Sequence, residues 1–193
     1  MKVILFLAGF GVAILLCLCF VAWTAKRTYG TGLTTPSPGY LTAVARPGAA
    51  ADAAAFDRLM TMFNAYDVES LKNNAPKVYA EDAWFRDGVK ELNGSEAITE
   101  YLADSVKSVR SVSFDFESPQ GGEGGDYYLP WVMNINLNMD PEDRISHTLG
   151  VSHLKFNAAG EVIFQQDYWD PSEFLHDRVP VANWLLGKVR KRL

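Results

Sequence analysis

The chain has 193 residues, 48% hydrophobic and 21% charged, with a formal net charge of −5. The basic side chains are concentrated at one end. From Arg178 onward there are five basic and no acidic residues, which leaves 13 basic against 23 acidic before that point. Such an acidic body argues against nucleic acid as a partner, because phosphate binding needs a basic face.

Val3 to Trp23 is an unbroken run of 21 uncharged, mostly large apolar residues, with Lys2 before it and Lys26 and Arg27 after it. At about 1.5 Å per residue, a helix of that length crosses a hydrocarbon core of roughly 30 Å. Residues 1–27 therefore read as a single-pass membrane anchor. The rival reading is a cleaved signal peptide, but its candidate exits, Phe20-Val21-Ala22 and Trp23-Thr24-Ala25, put an aromatic where a small residue is wanted. The flanking basic residues nearly balance, so the positive-inside bias decides little. A two-residue leader suits a signal anchor with the globular part outside the cytoplasm. Cys17 and Cys19 lie inside the apolar run and say nothing about disulfides.

About 165 residues remain, enough for one domain with a proper core. Thr28 to Ala51 is rich in Gly, Pro, Thr and Ala without a sustained apolar period, and reads as a flexible linker. Asp52 is placed to cap a helix running to Tyr66, with Phe56, Leu59, Met60 and Phe63 on one face. Asp67 is placed to cap a second, which Pro76 should kink or divide. Ala83 to Val89 reads as a short strand. A third helix follows, with Ser95 as its cap and Ile98, Tyr101, Leu102 and Val106 on the buried stripe.

The apolar period then changes to two. Val112, Phe114 and Phe116 alternate with Ser111, Ser113 and Asp115, and Trp131, Met133, Ile135 and Leu137 with Val132, Asn134, Asn136 and Asn138. Two further strands are expected over Ile145 to Phe156 and Val162 to Trp169, joined by a turn at Asn157–Gly160. This order predicts an α+β fold, with three helices packed on one face of a curved antiparallel sheet. The domain spans 52–176. Residues 177–193 follow as an amphipathic helix, with Val181, Trp184, Leu185, Val189 and Leu193 on one side and Lys188, Arg190, Lys191 and Arg192 on the other. Two readings stand for that helix: it lies on anionic lipid headgroups with Trp184 at the interface, or it packs on the domain.

Four stretches resemble the nuclear transport factor 2-like superfamily, and within it the SnoaL-like (polyketide cyclase-like) and ketosteroid isomerase-like proteins. They are Tyr79-Ala80-Glu81-Asp82-Ala83, Leu92-Asn93-Gly94 with Ile98 and Tyr101, His153 to Asn157 with Gly160-Glu161-Val162, and Asp167-Tyr168-Trp169-Asp170. The resemblance implies a cone-shaped sheet and a conical pocket lined by aromatics and a few polar groups. Phe63, Trp84, Tyr101, Ser152 and Trp169 are its expected walls. Asp87 falls on the position that resembles the isomerases' general base, and Asp167 on the region where cyclases and epoxide hydrolases of this kind place an acid/base carboxyl.

Each Asp also has a structural reading: Asp87 as a turn cap before Gly88, and Asp167 as a carboxylate bonded to Arg86 or a histidine. The oxyanion pair of the isomerases is missing, because Leu59 or Phe63 and Ser152 occupy the matching positions. His147 and His153 are expected to face away from the cone. Histidine and carboxylate spacing shows no metal pattern, and no cofactor is implied.

Two functions follow. One is a membrane-anchored binding or accessory module for a small apolar ligand, a lipid-derived one included. The other is an acid/base enzyme of cyclase, isomerase or epoxide-hydrolase type that uses Asp167 and Asp87. Membrane lipid is the other expected partner, and dimers are common in the family.

Overall fold

In the computed structural model the described residues are 36–170, together with Trp184, Lys188 and Lys191. The chain divides into two units, Met1–Thr42 and Ala43–Leu193. Of the first, only residues 36–42 are described, and they begin helix α1 (Pro38–Val44). The expected membrane anchor lies outside the described residues, among which no helix is long and apolar enough to cross a bilayer.

Helix α2 (Ala53–Asn64) starts where Asp52 accepts the Ala55 N–H, as its position predicts, and buries Phe56, Leu59, Met62 and Phe63. Helix α3 (Val68–Val78) is capped in the same way by Asp67, which accepts from Ser70. Pro76 does not divide it. It sits in the last turn, where the helix gives way at once to strand β1 (Tyr79–Arg86). The strand therefore begins four residues earlier than the sequence suggests. Strand β2 (Glu91–Asn93) precedes helix α4 (Ser95–Ser105). The cap of α4 is Gly94, at φ +92°, and no side chain caps it, so Ser95 is the first helical residue rather than the cap.

Strands β3 (Val109–Phe116), β4 (Gln120–Gly121), β5 (Tyr127–Leu137), β6 (Ser146–Phe156) and β7 (Val162–Trp169) complete one seven-stranded sheet. Its order is β2-β1-β7-β6-β5-β3, with β4 on β5. The β3, β5, β6 and β7 pairings are antiparallel, as expected. However, β1 runs parallel to β7, so the curved sheet is mixed and not antiparallel throughout. The helical segment between β1 and β3 carries the chain from one side of the sheet to the other.

The core lies between the helices and one sheet face. Phe56 meets Phe156 and Tyr127 edge-on at 5.0 and 5.2 Å, and Leu71, Ile98, Leu129 and Leu154 are fully enclosed. The linker expectation needs correcting over part of its length. Arg46 donates to the Asp82 carboxylate and backbone, and the Ala49 N–H donates to the Phe156 carbonyl at 2.7 Å. These backbone and charge contacts attach residues 46–49 to the domain despite their weak apolar pattern.

Candidate functional site

The period-two pattern of β7 puts Gln165, Asp167 and Trp169 on one face, and all three line a cavity of about 110 Å³ beneath the helices. The β6–β7 register places Ser152 opposite Asp167. Its hydroxyl donates to Asp167 Oδ1 at 2.6 Å, and Gln165 Nε2 lies 3.0 and 3.2 Å from the two carboxylate oxygens. Both donors are themselves held. Tyr79 donates to Gln165 Oε1 at 2.8 Å, which turns the amide nitrogen towards Asp167. Trp131 Nε1 donates to Ser152 Oγ at 3.0 Å, so the Ser152 proton is directed at the carboxylate.

The Trp131 ring reaches Ser152 by crossing Gly150. A methyl group at residue 150 would lie 2.2 Å from Trp131 Cη2. Glycine is needed there for close approach rather than for turn geometry.

Burial pushes the Asp167 carboxyl up to about 7. The donors Ser152 and Gln165 pull the other way, and the negative charge of Asp87 adds to the rise. What surface Asp167 keeps opens into the cavity it lines. The result is a carboxyl divided between acid and base near neutral pH, with its orientation fixed.

Asp87 also lines the cavity, at the end of β1. It fulfils the structural reading as a turn cap: Oδ1 accepts the Val89 and Lys90 N–H groups, each at 2.9 Å. Oδ2 accepts the Tyr101 hydroxyl at 2.5 Å, and the Asp87 carbonyl accepts Trp169 Nε1. Burial raises the Tyr101 phenol far above its usual range, and the bond to Asp87 raises it further, so Tyr101 stays protonated and donates.

Ser105 donates its one hydroxyl proton to the Leu102 carbonyl at 2.6 Å. The 2.6 Å contact between Tyr66 and Ser105 therefore has Tyr66 as donor. Every donor-bearing side chain in the wall is thus already partnered, whereas acceptor capacity remains on Asp167 and on the phenol oxygens. The wall has eight aromatic side chains and two carboxylates, and no Lys, Arg or His among the described residues.

Of the expected pocket residues, Phe63, Tyr101, Ser152 and Trp169 line the cavity with Asp167 and Asp87. Trp84 does not. It lies on the opposite face of β1, stacked on Phe164 at 5.1 Å with its indole N–H on Glu91. The partner expected for Asp167, Arg86 or a histidine, is replaced by Ser152 and Gln165.

As expected, both histidines avoid the cavity. His153 Nε2 meets Asp126 Oδ1 at 2.6 Å and Lys155 meets the same oxygen at 3.1 Å, while His147 contacts Asn134. Burial alone would raise the Asp126 carboxyl, but the bonds from His153 and Lys155 outweigh it and hold it below its usual range. No group of His, Cys, Asp and Glu among the described residues is arranged to hold a metal.

Of the expected membrane-facing set, Trp184 is exposed, and Lys188 Nζ sits 4.2 Å above its ring. Lys191 is also exposed. Arg190 and Arg192 lie outside the described residues.

Sequence reasoning missed Tyr66, Tyr79, Ser105 and Gln165. Gln165 could have been found from its strand parity with Asp167. The two tyrosines could not, because each sits where a helix ends and its direction is set by the turn.

No family model matches the chain, and no curated protein does. Solved structures do. A nuclear transport factor 2-like protein of unknown function from Exiguobacterium sp. 255-15 is 14% identical, with a TM-score of 0.52, over 60% of this chain and 98% of its own. An LEH-like epoxide hydrolase from M. tuberculosis is 12% identical, with a TM-score of 0.51, over 68% and 93%. A putative SnoaL-like polyketide cyclase from Jannaschia sp. CCS1 is 10% identical, with a TM-score of 0.51, over 63% and 88%. The domain has the nuclear transport factor 2-like fold, which its SnoaL-like neighbours share.

Proposed function

We propose that the domain binds a small, largely apolar molecule in its cavity and exchanges a proton with it through Asp167. The observation that carries this reading is the pairing of an aromatic-lined cavity with one carboxyl that is oriented by Ser152 and Gln165 and raised to about 7. A group poised near the working pH can both take and give a proton. The cyclase and epoxide hydrolase named above belong to the same fold, which makes acid/base chemistry a natural use of such a site; fold alone does not assign it.

Size limits the ligand. The cavity of about 110 Å³ is smaller than the roughly 150 Å³ that holds benzene, so a polycyclic substrate does not fit within its walls. The spent donors also argue against enolisation, because nothing but protonated Asp167 is left to stabilise an oxyanion. A second reading, a carrier without turnover, is favoured by one observation. Asp87 is committed to its turn and to Tyr101, which leaves the cavity a single working carboxyl.

We further propose that the domain works beside a membrane. The run Val3–Trp23 and the basic residues after Arg178 support this.

Titration of isopropanol, which has four heavy atoms and suits the cavity's size, into the full-length protein tests the site. Shifts of the Trp131 and Trp169 indole N–H signals, with an affinity that changes through pH 7 and loses that change in Asp167→Asn, are expected. Binding that ignores pH leaves the passive carrier, and no shift at either indole rejects the cavity as a ligand site.

A further inference from the structure

Building on the acid/base reading of this cavity, we propose that its ligand is a small alkylammonium ion, held among aromatic walls against the carboxyls of Asp87 and Asp167. The donor and charge inventory of the wall is the reason. The indole N–H of Trp131, the indole N–H of Trp169 and the hydroxyls of Tyr66, Tyr101 and Ser152 all end on protein acceptors. A ligand that needs a hydrogen bond from the protein finds no uncommitted side-chain donor besides protonated Asp167, whereas a ligand that brings its own N–H finds the Asp167 carboxylate.

Charge points the same way. Two carboxyls line one cavity with no basic side chain among the described lining residues. The titratable groups facing Asp167 are Asp87, Tyr66, Tyr79 and Tyr101, and none of them can carry a positive charge. A buried carboxylate in that setting must take up a proton or find a cation. An anionic ligand is repelled, and a neutral one leaves the charge uncompensated. Aromatic walls suit a soft organic cation, because ring faces attract it and the alkyl groups replace water. The volume of about 110 Å³ fits a molecule of on the order of five heavy atoms, judged against the benzene-sized reference. An alkylammonium bound here competes with the Asp167 proton, so binding near neutral pH releases a proton to the solvent.

Full-length protein in maltoside micelles, which carry no choline headgroup, is titrated with trimethylammonium chloride, tert-butanol and sodium acetate. Indole shifts at Trp131 and Trp169 report occupancy. Calorimetry in two buffers of different ionisation enthalpy reports proton release. Trimethylammonium is expected to bind at least tenfold more tightly than tert-butanol, with proton release near pH 7, and acetate is expected not to bind. Asp167→Asn and, separately, Asp87→Asn weaken the cation at least tenfold, and each changes tert-butanol far less than it changes the cation. Tert-butanol binding as tightly as the cation overturns the ligand class while the cavity stays a ligand site. Failure of all three probes at both indoles overturns the inference together with the site it rests on.

Discussion

Replacing Asp167 by Asn should make the protein more stable, and only above about pH 5. In the folded state the carboxyl titrates near 7, against 3.8 for an ordinary aspartate. Below pH 4 both folded and unfolded chains hold the proton, and the group contributes nothing. Between 4 and 7 the unfolded chain has released it while the folded one keeps it, so stability falls as pH rises. Above 7 the folded chain ionises and the loss levels off.

Three units correspond to about 4 kcal/mol, an upper figure because water entering the cavity offsets part of it. Asn keeps an oxygen to accept from Ser152 and Gln165 and carries no charge. At pH 8 the variant should gain about 2–4 kcal/mol, or roughly 6–12 °C in Tm for a domain of this size. Taking the difference between the two proteins at each pH removes the contribution of Asp126, whose lowered carboxyl stabilises at high pH and loses that effect as pH falls. Differential scanning fluorimetry of both proteins from pH 4 to 8 measures it. A Tm difference independent of pH would refute the reasoning.

Gly150→Ala forces Trp131 off Ser152 and should cost about 1–3 kcal/mol in urea unfolding, with the Trp131 indole N–H signal moved. Ser152→Ala removes a donor to the Asp167 carboxylate and should raise its pKa by on the order of one unit, read by carboxyl 13C NMR. Asp126→Asn removes the negative charge beside the buried ammonium of Lys155, leaving it only neutral acceptors, and should destabilise by about 2 kcal/mol in the same urea assay, while the cavity signals stay put.

The elements that position the cavity were legible because each carries a local rule. Asp52 and Asp67 cap helices by their own side chains, and the alternation in β5 and β7 fixes which residues share the inner face. Parity placed Asp167 and Trp169 on one face before any pairing was known, and Ser152 was placed there by the family resemblance. Trp84 failed because it was taken from the resemblance and not tested against strand parity, which puts Phe85 on the face of Asp87 and Trp84 on the other. Its neighbour Phe85 faces the cavity, and Trp84 faces the other way.

Local pattern could not supply the parallel β1–β7 pairing, since no turn joins those strands and only tertiary packing sets it. The linker stretch was misjudged for a related reason. Residues 46–49 are held by backbone bonds and one ion pair, which leave no apolar period to read. The relay Tyr79–Gln165–Asp167 was invisible because it joins the first strand to the last and depends on that pairing.

The most direct measurement is the carboxyl 13C titration of Asp167 in the intact chain. A midpoint near 7, moved down when trimethylammonium is added, is the expected result. An ordinary aspartate midpoint near 4 with the cavity empty would mean that the carboxyl is solvated and that the cavity holds no poised acid or base.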